Sequence, residues 1–160
     1  MNPAAARRRF EAYLRRRGLR VTQQRLLILE LAWSTHRHYS AEELYAWAKT
    51  RDASVSRATV YRTLALLVDG HFVSELDSGR GQMLYEHILG HHHHDHMICL
   101  GCGKIIEFRC EAIEELQRQE AAKRHFHVAS HTLNLVGYCA SCAREQAAAG
   151  EPQSAGGVKA

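Results

Sequence analysis

At 160 residues, with 46% hydrophobic and 24% charged side chains, the chain has the length and composition of one folded domain or two small ones, which excludes a disordered polyelectrolyte. Its longest apolar run, LLILELAW (26–33), is too short to span a bilayer, and its Arg-rich start lacks the apolar segment of a secretory signal, so a cytoplasmic protein with no membrane partner is expected. The net charge of +4 hides an asymmetry: residues 1–80 carry 14 Lys/Arg against 8 Asp/Glu, residues 81–160 carry 7 against 9, and nine of the twelve histidines fall between His87 and His131. A basic half suits a polyanion and a His-rich acidic half suits cations.

The basic segment RRRFEAYLRRRGLR (7–20) sets Phe10, Tyr13 and Leu14 at helical spacing before a stop at Gly18. Thr22 is placed to cap a second helix with Leu26, Leu27, Leu29 and Trp33 on its apolar side. Ser40-x-x-Glu43 has the form of a capping box opening a third helix, with Leu44 and Trp47 turned inward. Ser56 caps a fourth, SRATVYRTLALLVDG, which buries Val60, Leu64 and Leu67 and ends near Gly70. FVSELD and QMLYE, separated by Ser-Gly-Arg-Gly, then form a β-hairpin. Helices followed by a two-stranded wing make a winged helix-turn-helix, over residues 1–84.

In that fold the last helix enters the major groove. It offers Arg57, Thr59, Tyr61 and Arg62 near its start, with Arg20 and Arg25 as flanking phosphate or minor-groove contacts and Arg80 at the wing tip. Arginine pairs with guanine edges or phosphate, and a tyrosine ring meets a thymine methyl. Double-stranded DNA is the expected partner. A solvated helix face is the plain alternative, and the positive charge of this half weighs against it.

The second half opens with HHHHDHMICLGCG (91–103), which joins imidazole, carboxylate and thiolate donors of different softness. Cys99-x-x-Cys102 before Gly103-Lys104 and the later Cys139-x-x-Cys142 form a four-thiolate set fit for structural zinc. Five cysteines without an export signal favour metal binding over disulfides, and Cys110 reads as an incidental helix-start thiol. Between the pairs a strand (105–108), a helix (112–124) and a strand (128–137) are predicted.

Strand alternation sorts the histidines. His94 and His96 share one face, His93 and Asp95 the other, so one run serves two N/O sites. The first can recruit Glu86, Glu107 and His38; the second Glu114 and His131. His91 and His92 are expected at the surface. The expected architecture is α+β: a winged-helix domain (1–84), a hinge (85–92), a C-terminal α/β metal-binding dimerisation domain with a four-cysteine zinc site (93–145), and a disordered tail (146–160).

GLRVTQQR (18–25), HYSAEELY (38–45), ATVYRTL (58–64), HHDHMICLGCGKIIEF (93–108) and the last C-x-x-C together resemble the ferric uptake regulator family, in unbroken order over roughly residues 10 to 145. The resemblance implies a homodimeric bacterial regulator, usually a repressor, that binds A/T-rich inverted repeats when loaded with divalent metal. It implies a regulatory site at His38, Glu86, His94, His96 and Glu107, with ligands in both domains. It implies an additional site at His93, Asp95, Glu114 and His131, and structural Zn(2+) at Cys99, Cys102, Cys139 and Cys142. Peroxide sensors of the family carry aspartate where this chain has Glu86 and Glu107, and zinc sensors often place cysteine in the regulatory site. Both departures favour Fe(2+), with Mn(2+) or Zn(2+) as alternatives.

A rival class is a small metallohydrolase, because His91, His93, Asp95 and His96 satisfy H-x-H-x-D-H. That pattern belongs to a larger fold and leaves the cysteine pairs unexplained. A zinc deaminase would need H-x-E ahead of P-C-x-x-C, which is missing. No catalytic nucleophile or general base stands out, so no enzyme is expected.

Overall fold

The computed structural model describes residues 2–88 and 93–149 and divides the chain into two compact units, with the boundary between His92 and His93. His91 and His92, the later part of the expected hinge (89–92) and the tail from 150 onward lie outside the described residues.

In the first unit, α1 (Pro3–Arg16) starts earlier than its basic segment suggests, because Asn2 caps it, accepting from the Ala5 amide, and Pro3 suits the first turn. The helix α2 (Gln23–Trp33) is capped by Thr22, and α3 (Ala41–Arg51) by Ser40 with the reciprocal Glu43 bond. The fourth helix, α4 (Arg57–Asp69), is capped by Ser56. Each cap satisfies amides that a helix start leaves open.

The short strand β1 (Tyr39–Ser40) precedes α3, while β2 (Val73–Asp77) and β3 (Met83–His87) follow α4. They form an antiparallel sheet of order β1-β3-β2. Phe10, Leu14, Ile28, Leu44, Val60, Leu64, Leu67 and Phe72 close the core between helices and sheet. Three corrections arise here. The hinge expected from residue 85 starts too early, since Tyr85, Glu86 and His87 complete the β2–β3 ladder. The strand β1 is an addition to the expected elements, being too short to carry a periodicity. Gly70 is needed for space rather than for left-handed backbone: a Cβ there would stand 2.6 Å from the Phe72 ring, and His71 takes the positive φ of 54°.

The second unit holds β4 (Asp95–Cys99), β5 (Ile105–Phe108), α5 (Glu111–Lys123), β6 (Asn134–Gly137) and α6 (Ala140–Ala149). Its sheet runs β5-β4-β6, with β5 antiparallel and β6 parallel to the central strand. The strand expected over 128–137 is only Asn134–Gly137, because β4 is short and offers partners to four residues alone. The tail expected from 146 begins too early, since the Ala-rich segment continues α6 to Ala149. Cys110 sits at the start of α5 and makes no side-chain cap. The row Ile106–Met97–Leu135 lies in register across all three strands, and each side chain is more than two-fifths exposed. No described helix is long and apolar enough to cross a membrane.

Candidate metal centres and recognition helix

The sulfur cluster is built by the end of β4 and the start of α6. Around Cys99, its carbonyl accepts from the Gly103 amide at 2.9 Å and its amide donates to Lys104, folding a tight turn that returns Cys102. Cys139 precedes α6 and Cys142 lies in its first turn, so both project from one end. The four Sγ atoms lie within 4.8 Å of one another, and Cys102 and Cys139 are 3.8 Å apart. A tetrahedral zinc with bonds of about 2.3 Å needs sulfur separations of about 3.8 Å. A disulfide would need about 2 Å. All five cysteines are free thiols. Gly101 leaves the room: a Cβ there would meet Cys142 Cβ and Sγ at 2.8 Å.

Electrostatics in the cluster point the same way. The Cys102 and Cys139 amides hold the Cys99 thiol below its ordinary range, and the latter amide donates to Cys99 Sγ at 3.2 Å. The Ser141 hydroxyl, with the Cys142 amide, brings Cys139 down to about 6, whereas its hydrogen bond with Cys139 pushes Cys142 up to about 12. Four neighbouring thiols cannot all ionise without a counter-charge. A dication supplies one, and the residues fit it.

A second donor set lies between β4, α5 and the segment before β6. His93 Nε2 is 3.2 Å from Asp95 Oδ1 and 3.6 Å from Glu114 Oε1, and His131 Nε2 is 3.2 Å from that same carboxylate oxygen. Asp95 and Glu114 are buried, and all four donors fall within 4.8 Å. Two buried carboxylates converging with two imidazoles make a mixed N/O site that suits a divalent cation.

The remaining N/O donors are positioned within each unit separately. In the first, Tyr39 pairs with Tyr85, so His38 and Glu86 stand opposite each other one step on, with Nε2 3.3 Å from Oε2. The Ser74 hydroxyl donates to Glu86 Oε1 at 3.1 Å from the neighbouring strand, where Ser74 and Glu86 are ladder partners. In the second unit, the His94 and His96 rings lie 4.9 Å apart, nearly perpendicular. Glu107 is the ladder partner of His96, and its carboxylate is 4.0 Å from His94 Nε2. The structure brings His94 and His96 together with Glu107 beside them, and His93 and Asp95 together with Glu114 and His131, although β4 begins at Asp95 and the strand expected from His93 onward is two residues shorter. Sequence reasoning missed Ser74, although a hairpin register would have placed it beside Glu86.

On α4, Arg57, Tyr61 and Arg62 are exposed and Thr59 half-buried. Arg20, Arg25, Thr59 and Arg62 line one open groove beside the α1–α2 loop. The Thr59 hydroxyl is 3.0 Å from Ser56 Oγ, and the Arg25 guanidinium donates to the Arg20 carbonyl. Arg57 and Tyr61 both reach Glu42 on α3, a partner that no local pattern signals.

Soft and hard donors kept apart, on a chain that also carries a winged helix, define a metal-responsive transcriptional regulator. Residues 16–136 match the ferric uptake regulator family, and the chain belongs to that family. It is 40% identical over 141 residues to the ferric uptake regulation protein of Campylobacter jejuni, covering 87% of this chain and 89% of the relative. The Helicobacter pylori ferric uptake regulator, a solved structure described as having three functional metal binding sites, superposes with a TM-score of 0.79 at 31% identity, covering 89% of this chain and 95% of its own. A zinc uptake regulator complexed with zinc and DNA superposes with a TM-score of 0.56 at 26% identity, covering 92% and 99%. The family consists of transcriptional regulators rather than enzymes, which removes the metallohydrolase reading.

Proposed function

We propose that the chain is an iron-dependent repressor of metal-uptake genes, acting in the cytoplasm as a homodimer on an A/T-rich inverted repeat. The observation that carries this reading is the separation of donors: sulfur alone in one cluster, imidazole and carboxylate in the others. Cys99, Cys102, Cys139 and Cys142 are assigned to structural Zn(2+). His38, Glu86, His94, His96 and Glu107 are assigned to regulatory Fe(2+), and His93, Asp95, Glu114 and His131 to an additional ion.

When bound, the regulatory ion supplies bonds to nitrogen and oxygen donors that belong to different parts of the chain. His38 and Glu86 form one prepared half, held by Ser74, and His94 and His96 backed by Glu107 form the other. Bringing the halves together selects one arrangement of the winged helices, and differential affinity for that arrangement shifts the population towards it. A nearly complete shift requires about 5 kcal/mol of differential binding. Arg57, Thr59, Tyr61 and Arg62 then read the major groove, with Arg20 and Arg25 on the backbone or minor groove. The exposed row Ile106–Met97–Leu135 supports a second copy as partner, since apolar rows of this kind are rarely left in water.

A zinc-sensing reading is favoured by one argument: N/O donors intrinsically prefer zinc over iron, so selectivity for iron rests on geometry and availability, and selectivity for the more weakly bound manganese would rest on them still more. DNA binding titrated with buffered Fe(II), Mn(II), Ni(II) and Zn(II), with total metal content measured alongside, separates these. Iron sensing predicts activation by Fe(II) at its cellular concentration with one zinc per chain retained throughout. Activation confined to Zn(II) overturns the iron assignment.

A further inference from the structure

Glu42 stands in the first turn of α3, yet both of its carboxylate oxygens are engaged by α4. Arg57 Nη2 is 3.1 Å from Oε2, and the Tyr61 hydroxyl donates to Oε1 at 3.3 Å. Arg57 also lies over the Tyr45 ring, 5.2 Å from its centroid. Arg57 and Tyr61 are four residues apart on a helix and share one face. That face is the one assigned above to DNA. The side chains of Glu42 and Arg57 are 50% and 67% exposed and Tyr61 is 49% exposed, so the network sits at the surface where a duplex would arrive.

An acidic side chain among groups set to meet a polyanion calls for a reason. A carboxylate offers two anionic oxygens to a guanidinium much as a phosphate does. We propose that Glu42 is a specificity-determining residue that acts through Arg57 and Tyr61, as an internal competitor of the DNA backbone. This inference rests on the reading that α4 enters the DNA. Backbone contact alone exchanges one anionic partner of Arg57 for another, and brings phosphate oxygens beside a negative charge. Only a sequence whose base edges reward α4 elsewhere recovers that loss. Glu42 thus weakens binding to arbitrary DNA more than binding to the operator. Its pair with Arg57 is exposed, so the expected effect is modest: about two- to five-fold in affinity.

The test compares metal-loaded wild type with Glu42→Gln, Arg57→Gln and the double variant, by fluorescence anisotropy on an A/T-rich inverted repeat and on a shuffled duplex, over a range of salt concentrations. Glutamine keeps an acceptor for Tyr61 and removes the charge, and the Ser40–Glu43 capping box keeps α3 closed. Glu42→Gln should bind the shuffled duplex about two- to five-fold tighter. Its salt dependence should steepen by about one phosphate contact. Both changes should vanish when Arg57 is already glutamine. An equal gain on both duplexes, no gain, or a gain that persists in the double variant overturns the proposal. Should Glu42→Gln melt early, Glu42→Asp, which keeps the charge but is too short to hold both groups, must show a smaller loss of discrimination in the same direction. A wild type with no preference for the repeat sinks the reading beneath; a discriminating wild type matched by Glu42→Gln sinks this inference alone.

Discussion

His38 and Glu86 meet across two antiparallel strands, Nε2 to Oε2 at 3.3 Å, with both side chains about nine-tenths buried. The pairing of Tyr39 with Tyr85 fixes that meeting, and Ser74 fixes the carboxylate from the other side. A buried imidazole–carboxylate pair offers a divalent cation one nitrogen and one oxygen donor. Glu86→Ala should therefore remove metal-dependent DNA binding, a loss of about 5- to 150-fold in the metal-induced gain. Zinc content by elemental analysis and the dimer by light scattering should stay unchanged.

Ser74→Ala offers a finer version. Removing the hydroxyl takes one hydrogen bond from Glu86 Oε1 and leaves the carboxylate and its contact with His38 in place. The metal concentration for half-maximal DNA binding should rise, by about 10-fold if Ser74 behaves as a supporting partner of a ligand usually does. Maximal binding should be preserved at saturating metal.

The sulfur cluster predicts an all-or-none dependence. Cys102→Ser or Cys139→Ser removes one thiolate from a set whose members lie within 4.8 Å. Structural zinc contributes on the order of 10 kcal/mol in small modules. Such a variant should lose its zinc and unfold its second unit, seen as lost ellipticity, while the winged unit keeps its own core. Gly101→Ala should act more gently: its Cβ presses on Cys142 at 2.8 Å, so zinc should pass faster to a competing chelator without loss of fold.

A pH dependence follows from Asp69. The Tyr13 hydroxyl donates to its carboxylate at 2.5 Å and Arg17 lies beside it, and these lower its pKa from the ordinary 3.8. A depressed carboxylate contributes stability that is present above its unfolded value and lost as pH falls through the lower folded value. The melting temperature of Asp69→Asn should therefore trail wild type by a constant amount from about pH 5 to 7, with the gap narrowing below about pH 4 and closing only once the pH falls below the lowered folded value.

The parts legible in the sequence are those decided by neighbouring residues. The caps Thr22, Ser40 and Ser56 bond to amides three positions on, and the alternation of His93 to His96 is a property of four consecutive residues. The strand β1 exists only because Tyr39 and Ser40 find β3, and β6 is cut to four residues by the reach of β4. Glu42 shows the same limit within the site: its helix is legible from the capping box, while its partners Arg57 and Tyr61 come from another helix. Glu107 and His131, candidates from the next strand and the last one that the resemblance also implies, stand beside His94 and Glu114 in the structure.

The central claim is that His94 and His96, rather than the thiolates, carry the signal. The most direct measurement is the affinity of wild type and His96→Ala for the A/T-rich inverted repeat, each with saturating Fe(II) and with a chelator too weak to strip the zinc. Wild type should bind about 5- to 150-fold tighter with iron. His96→Ala, with its zinc and dimer intact, should bind weakly in both conditions. A His96→Ala variant that still tightens its grip when iron is added contradicts the account.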